Sequence, residues 1–195
     1  MSAVLGKFTY YLPVFCRLSA TLAADSVLWG MRCPPAQSTQ STQDKARKIR
    51  IRCLELHASN DVTVAVGSTG NFQLRRFFGS DLTTLTDLQP SIAKQVGTEP
   101  NSIVTNARVS DGSATLTGGI SSADVFASLA CPRSNGGSGH VSMGRPTGYG
   151  DASGGDDRWG IITLGPGEGI WIRNAILGVI GDTIAGYVAW EEGTL

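Results

Sequence analysis

The side chains able to do chemistry are few and scattered. The two histidines, His57 and His140, stand far apart in the chain. Neither sits in a recognisable nucleophile–base setting, and no Gly-x-Ser-x-Gly elbow is present to activate a serine. The four cysteines, Cys16, Cys33, Cys53 and Cys131, form no Cys-x-x-Cys pair, so their spacing does not read as zinc. Cys16 and Cys53 lie inside apolar, strand-like runs. They read as free thiols packed as small hydrophobes. Two disulfides are the alternative for an exported chain, and the sequence does not pair them. Asp151, Asp156 and Asp157 could gather around a cation, but they lack the alternate acidic positions and later glutamate of a calcium loop. Gly165-Pro166-Gly167-Glu168-Gly169 has the glycines of a phosphate cradle. Its proline suits a tight turn instead, and its glutamate would repel phosphate. A glycosidase carboxylate pair is invisible in sequence, because folding can bring any two of the 16 acidic residues together. The expectation is a protein that is not an enzyme and holds no cofactor and no metal.

The remaining candidates are recognition residues. Lys48, Arg50 and Arg52 alternate with Ile49, Ile51 and Cys53 over 47–57, as on a strand with one basic face. The phase then changes, since Leu54 and Leu56 share the arginine side. Either a bulge sits near Cys53 or the second face becomes covered. Arg75-Arg76 adjoins Phe77-Phe78. A basic face invites nucleic acid, but there is no RNP-type motif and no recognition helix. A solvated face or an ion-paired subunit contact fits better. Trp171, Arg173 and Tyr187 fall opposite the nearest core positions of their strands. They are interface candidates, because Trp, Tyr and Arg are favoured there; a second buried face is the alternative. Trp29, Trp171 or Tyr149, if exposed, would instead suit a sugar-stacking platform.

Strands must carry these residues. The stretch 158–192 is the most strongly patterned: an apolar run from Trp159 to Leu164, the break Gly165-Pro166-Gly167, a run from Ile170 to Ile172, and a last run from Ala185 to Trp190. Strand, turn, strand, loop, strand is the reading. Upstream, 8–18 reads as an edge or bulged strand because of Pro13. Residues 26–33 read as a short strand stopped by Pro34-Pro35, and 36–46 as a polar loop. Val62 to Val66 and Phe72 to Phe78, joined by Gly67-Ser68-Thr69-Gly70, read as a hairpin. A short helix is expected within 82–95, with Pro90 in its first turn. Residues 102–109 and 114–117 read as strands around Ser110-Asp111-Gly112-Ser113, and 124–130 as a further short run. Residues 133–157 read as a long Gly-rich loop. Many short strands and no long amphipathic helix predict an all-β fold: a single domain over 1–195, an antiparallel β-sandwich of jelly-roll type, with a lipocalin-like barrel second. Trp159, Ile161, Ile172, Val188 and Trp190 are the core candidates.

The chain has 195 residues, 41% of them hydrophobic, which suits a globular protein. Only 16% are charged and the net charge is +0. So little charge predicts a surface hidden against neighbours, hence a homo-oligomer, and gives no bulk attraction to nucleic acid or an anionic membrane. The apolar run near the start is broken by Pro13 and Arg17, unlike a signal-peptide core.

Two stretches carry a resemblance. LGPGEGIWIRN followed by GYVAWEE, with the looser FQLRRFFGSDLTTL and TNARVSDGSATLTGG, resembles small structural proteins encoded among the head and tail genes of tailed bacteriophages. The resemblance implies a virion component made in the host cytoplasm. In its most specific form this is a capsid decoration (cement) protein, a trimer by preference, partnered by the major capsid protein or other virion proteins. A head–tail connector or tail component is the near variant. A carbohydrate-binding β-sandwich module is the alternative of another class.

Overall fold

The structure, a computed structural model, describes residues 8–35, 47–62, 69–83, 86–87, 92–94, 102–104, 106–133, 138–144 and 162–194. The strands are β1 (Phe8–Arg17), β2 (Val27–Arg32), β3 (Arg47–Asn60), β4 (Thr69–Phe78), β5 (Thr86–Asp87), β6 (Ala93–Lys94), β7 (Asn106–Val109), β8 (Ile120–Pro132), β9 (Ser138–Gly144), β10 (Ile162–Leu164), β11 (Gly169–Asn174) and β12 (Asp182–Thr194). No helix occurs among the described residues.

Two antiparallel sheets pack face to face. One runs β10-β3-β12-β1-β6, with β9 also on β3; the other runs β5-β7-β2-β11-β4-β8. The chain alternates between them. β1, β3, β9 with β10, and β12 build the first sheet; β2, β4, β8 and β11 build the second. This is the double Greek key of a jelly roll, extended at its edges by β5, β6 and β7.

The alternation seen in the sequence positions the core. Tyr10, Leu12, Val14 and Cys16 of β1, Phe72 and Leu74 of β4, Ile170 and Ile172 of β11, and Ile184, Val188 and Trp190 of β12 all point between the sheets. Trp29 and Trp190 are fully buried, and Tyr10 stacks on Trp190 with ring centroids 5.8 Å apart. The phase change in β3 is a bulge. Ala189 faces Cys53 while Trp190 faces Ile51, so Arg52 is the extra residue. Ile49 and Ile51 before it, and Leu54, Leu56 and Ala58 after it, all reach the core.

A second apolar cluster lies on the outer face of the second sheet: Val27, Phe77, Leu82, Leu116 and Trp171. Its cover is a pair of neighbouring segments. Leu116 N–H donates to Val27 O at 2.8 Å, and Thr83 pairs with Thr117. Phe77 and Trp171 stack at 4.7 Å. Gly119, at φ +69°, presses onto this stack; a Cβ there would lie 2.6 Å from the Phe77 ring.

Several expectations need correction. The helix expected within 82–95 is absent where that stretch is described: β5 pairs with β7 at Thr86–Asp87, and β6 pairs with β1 at Ala93–Lys94. Open backbone groups on the two sheet edges take up Thr86–Asp87 and Ala93–Lys94 as short strands; residues 88–91, Pro90 among them, lie outside the described residues. The expected hairpin is also replaced. From Phe72 to Phe77 both edges of β4 are taken, by β11 and β8, and β3 lies in the other sheet. Residues 63–68 lie outside the described set. Residues 114–117 contribute a single bridge and not a strand. The Gly-rich stretch 133–157 contains β9. Glycine has no strand signature, but a Cβ on Gly139 would stand 1.8 Å from Ala130 O, so only glycine lets β9 pass β8 this closely. The polar loop 36–46 and the core candidates Trp159 and Ile161 lie outside the described residues.

Candidate functional site

The β1–β2 and β11–β12 connections meet the ends of β3 and β8 at one end of the sandwich. Hydrogen bonds tie them together. Leu18 N–H donates to Asp182 O, Asp61 N–H to Gly181 O, and Leu22 pairs with Gly178. The loop 175–181 is fastened along its length. Ala175 N–H donates to Asn71 O at 2.7 Å, Gly178 N–H to Leu22 O at 2.9 Å and Gly181 N–H to Leu18 O at 2.9 Å.

An ion pair beneath the loop fixes it. Asp182 is 1% and Arg133 7% exposed. Arg133 Nε and Nη2 donate to the two Asp182 oxygens at 3.1 and 2.7 Å, and Nη2 also donates to Leu177 O at 2.6 Å. Asn60 Nδ2 donates to Asp182 Oδ1 at 2.8 Å, and Val179 N–H to Oδ2 at 3.0 Å. The carboxylate thus has four nitrogen donors, and the Cys131 thiol adds a weaker fifth contact, 3.7 Å from Oδ1.

What this scaffold holds up is apolar. Ile176, Leu177 and Ile180 are 43%, 53% and 48% exposed, and Val62 beside Gly181 is 39% exposed. The rim is charged: Arg17 pairs with Asp61 at 2.8 Å and Arg173 with Asp25 at 3.1 Å. The Arg17 guanidinium holds the Asp61 carboxyl below its usual range. An apolar centre with a polar rim is the anatomy of a protein contact. A loop already fastened loses little conformational entropy on binding.

The seven interface residues expected from sequence do not form one surface. Arg50 and Arg52 lie on the first sheet. Arg50 is half-buried opposite Glu191, and Arg52, in the bulge, stands 3.5 Å from the Glu191 carboxylate. Tyr187 shares that sheet face, with its hydroxyl 3.6 Å from Cys53 Sγ; this contact and burial push the phenol pKa up. Arg75 donates to Gln73 Oε1 at 2.9 Å on the second sheet. Arg76 points the other way, to Glu168 at 2.7 Å and Thr163 O at 3.3 Å, with its guanidinium over Phe126. Arg173 pairs with Asp25, as above. Trp171 is only 5% exposed. Of the two readings left open for it, the second buried face is the one found. Trp29 is fully buried, which removes it as a sugar platform. Tyr149, Asp151, Asp156 and Asp157 lie outside the described residues.

All four cysteines are free and buried. Burial pushes the thiol of Cys16 from 9.0 up to about 11, and those of Cys33 and Cys131 up to about 12, with Glu192 and Asp182 respectively adding to the effect. A thiol raised in the folded state contributes stability that is intact below pH 9 and lost as pH climbs toward these values. The urea midpoint is therefore expected to hold up to about pH 9 and fall steadily above it. Iodoacetamide at pH 8 should label none of the four cysteines until urea unfolds the chain. Rapid labelling of the native protein would contradict the burial.

The apolar tip was missed in sequence although its signal was present: Ile176-Leu177-Gly178-Val179-Ile180 is an apolar run in a position read as a loop. Asp182 and Arg133 gave no signal, since nothing local pairs them. Comparison of the chain with protein-family models, with curated proteins and with solved structures finds no match.

Proposed function

We propose that this protein is a virion structural component of a tailed bacteriophage, acting as a capsid decoration protein that stabilises the shell of the major capsid protein. The observation that carries the proposal is the tip: Ile176, Leu177 and Ile180 are held exposed by a loop that buried polar groups make rigid. A chain with no partner gains nothing from fixing three large aliphatic side chains in water, whereas a partner recovers their transfer energy. The jelly-roll connectivity supports the reading by analogy only, since that fold also serves lectins and cupins. The C-terminal resemblance supports it independently. In this reading the protein acts as a homo-oligomer, a trimer by preference. It binds assembled shells and not loose subunits, which stabilises the shell by mass action. A head–tail connector or tail position would use the same tip. The carbohydrate-binding reading is left without Trp29 and Trp171 as stacking surfaces.

The test is co-sedimentation of the purified protein with undecorated shells of the parent virion. Wild type should pellet saturably. Leu177→Asp replaces an exposed anchor, so its thermal midpoint should stay unchanged while shell affinity drops by about tenfold or more, since burying one leucine is worth roughly 1.5–3 kcal/mol. Equal binding by the variant would remove the tip from the interface.

A further inference from the structure

His57 and His140, remote in sequence, become direct neighbours in the fold. The pairing of β3 with β9 sets them opposite each other in register. Their ring centroids are 4.4 Å apart and their planes 26° apart. Both rings are exposed. Along the same face of β3 lie Glu55 and Ser59; Ala185 of β12 stands on the other side of His57, and Tyr187 opposite Glu55. Ser138 faces Ser59 in register.

Two imidazoles fixed side by side on a rigid sheet place two nitrogen ligands within reach of one ion. A borderline divalent ion binds imidazole nitrogen at about 2.0–2.1 Å, so two such nitrogens around a tetrahedral ion stand roughly 3.3 Å apart. The ring centroids stand 4.4 Å apart, and the χ2 torsion of histidine is broad, so turning the rings out of their stack points one in-plane nitrogen lone pair of each at a shared ion. The backbone need not move, because strand pairing fixes the two Cα positions.

We propose that His57 and His140 form a two-imidazole site for a divalent transition ion of the copper, nickel or zinc class. Water fills the remaining positions of the ion. Hard cations such as magnesium and calcium require oxygen ligands and are excluded. The site has a structural consequence. Among the described residues β9 pairs with β3 alone in its sheet, so an ion held by both histidines clips an outer strand to the sheet. In the unfolded chain the two imidazoles are far apart, so the ion binds the folded state selectively and raises its stability.

The experiment is calorimetric titration of the untagged full-length protein with copper(II) chloride, zinc chloride and magnesium chloride at pH 7.5, alongside His57→Gln and His140→Gln. Both histidines are exposed, so the variants should fold, which circular dichroism checks directly. The proposal expects saturable one-to-one binding, tighter for copper than for zinc, and none for magnesium. Each variant should bind at least about tenfold more weakly, because one imidazole alone does not chelate. The copper-loaded wild type should show an electron paramagnetic resonance spectrum with two nitrogen ligands, and its thermal midpoint should rise. Absence of copper and zinc binding, or binding unchanged in either variant, would overturn it.

Discussion

A chain ending at Gly181 is expected not to fold. The removed strand, β12, is the centre of the first sheet. It pairs with β1 from Phe8 to Arg17 and with β3 from Arg47 to Asn60. Its loss leaves both neighbours with a row of open backbone groups facing each other across a gap. It also removes Ile184, Val188 and Trp190 from the core, all fully buried. Losing one buried tryptophan side chain costs about 3–5 kcal/mol. The whole stability of a domain is only about 5–15 kcal/mol. The truncated chain should therefore show no cooperative thermal transition by far-ultraviolet circular dichroism and should be digested at once by trypsin. A cooperative melt would show that the first sheet does not depend on its central strand.

Asp182→Ala is the single substitution with the largest expected cost, about 3–5 kcal/mol. It leaves the guanidinium of Arg133 buried without its counter-charge and strips acceptors from Asn60 and Val179. The asymmetry of such pairs makes the expectation specific. Arg133→Met in the Asp182→Leu background removes both charges together, so the double variant should be less destabilised than the sum of the two single changes. Urea denaturation of the three variants measures this. The 175–181 loop hangs on the same pair through Leu177 O, so Asp182→Asn should weaken shell binding more than it weakens folding. Additive costs in the cycle would mean that the two side chains do not interact as described.

Most of the fold was legible because alternation and turn chemistry are local. Over 162–192 the strand, turn, strand, loop, strand pattern could be read from Gly165-Pro166-Gly167 and the apolar runs beside it. The phase change at Leu54 left two readings open, a bulge near Cys53 or a covered second face, and the register shift shows the bulge. Three things were illegible for stated reasons. Trp171 alternates correctly, but alternation does not say what covers a face, and its cover comes from Leu82 and Leu116, distant in sequence. β9 is written in glycine and serine because its backbone must pass against β8 at Gly139. The meeting of Arg133 with Asp182, and of His57 with His140, depends on sheet order, which no local pattern encodes.

The central claim, that this protein works by holding a shell together, is tested most directly by the melting of the shell itself. Undecorated shells of the parent virion are heated alone, then with the protein at about a hundred times its dissociation constant, where occupancy of each site is worth about 2.7 kcal/mol. The account predicts a clear rise in the shell's melting temperature with wild type and no rise with Leu177→Asp at the same concentration. Shells that bind the protein to saturation and melt where they did without it would contradict it.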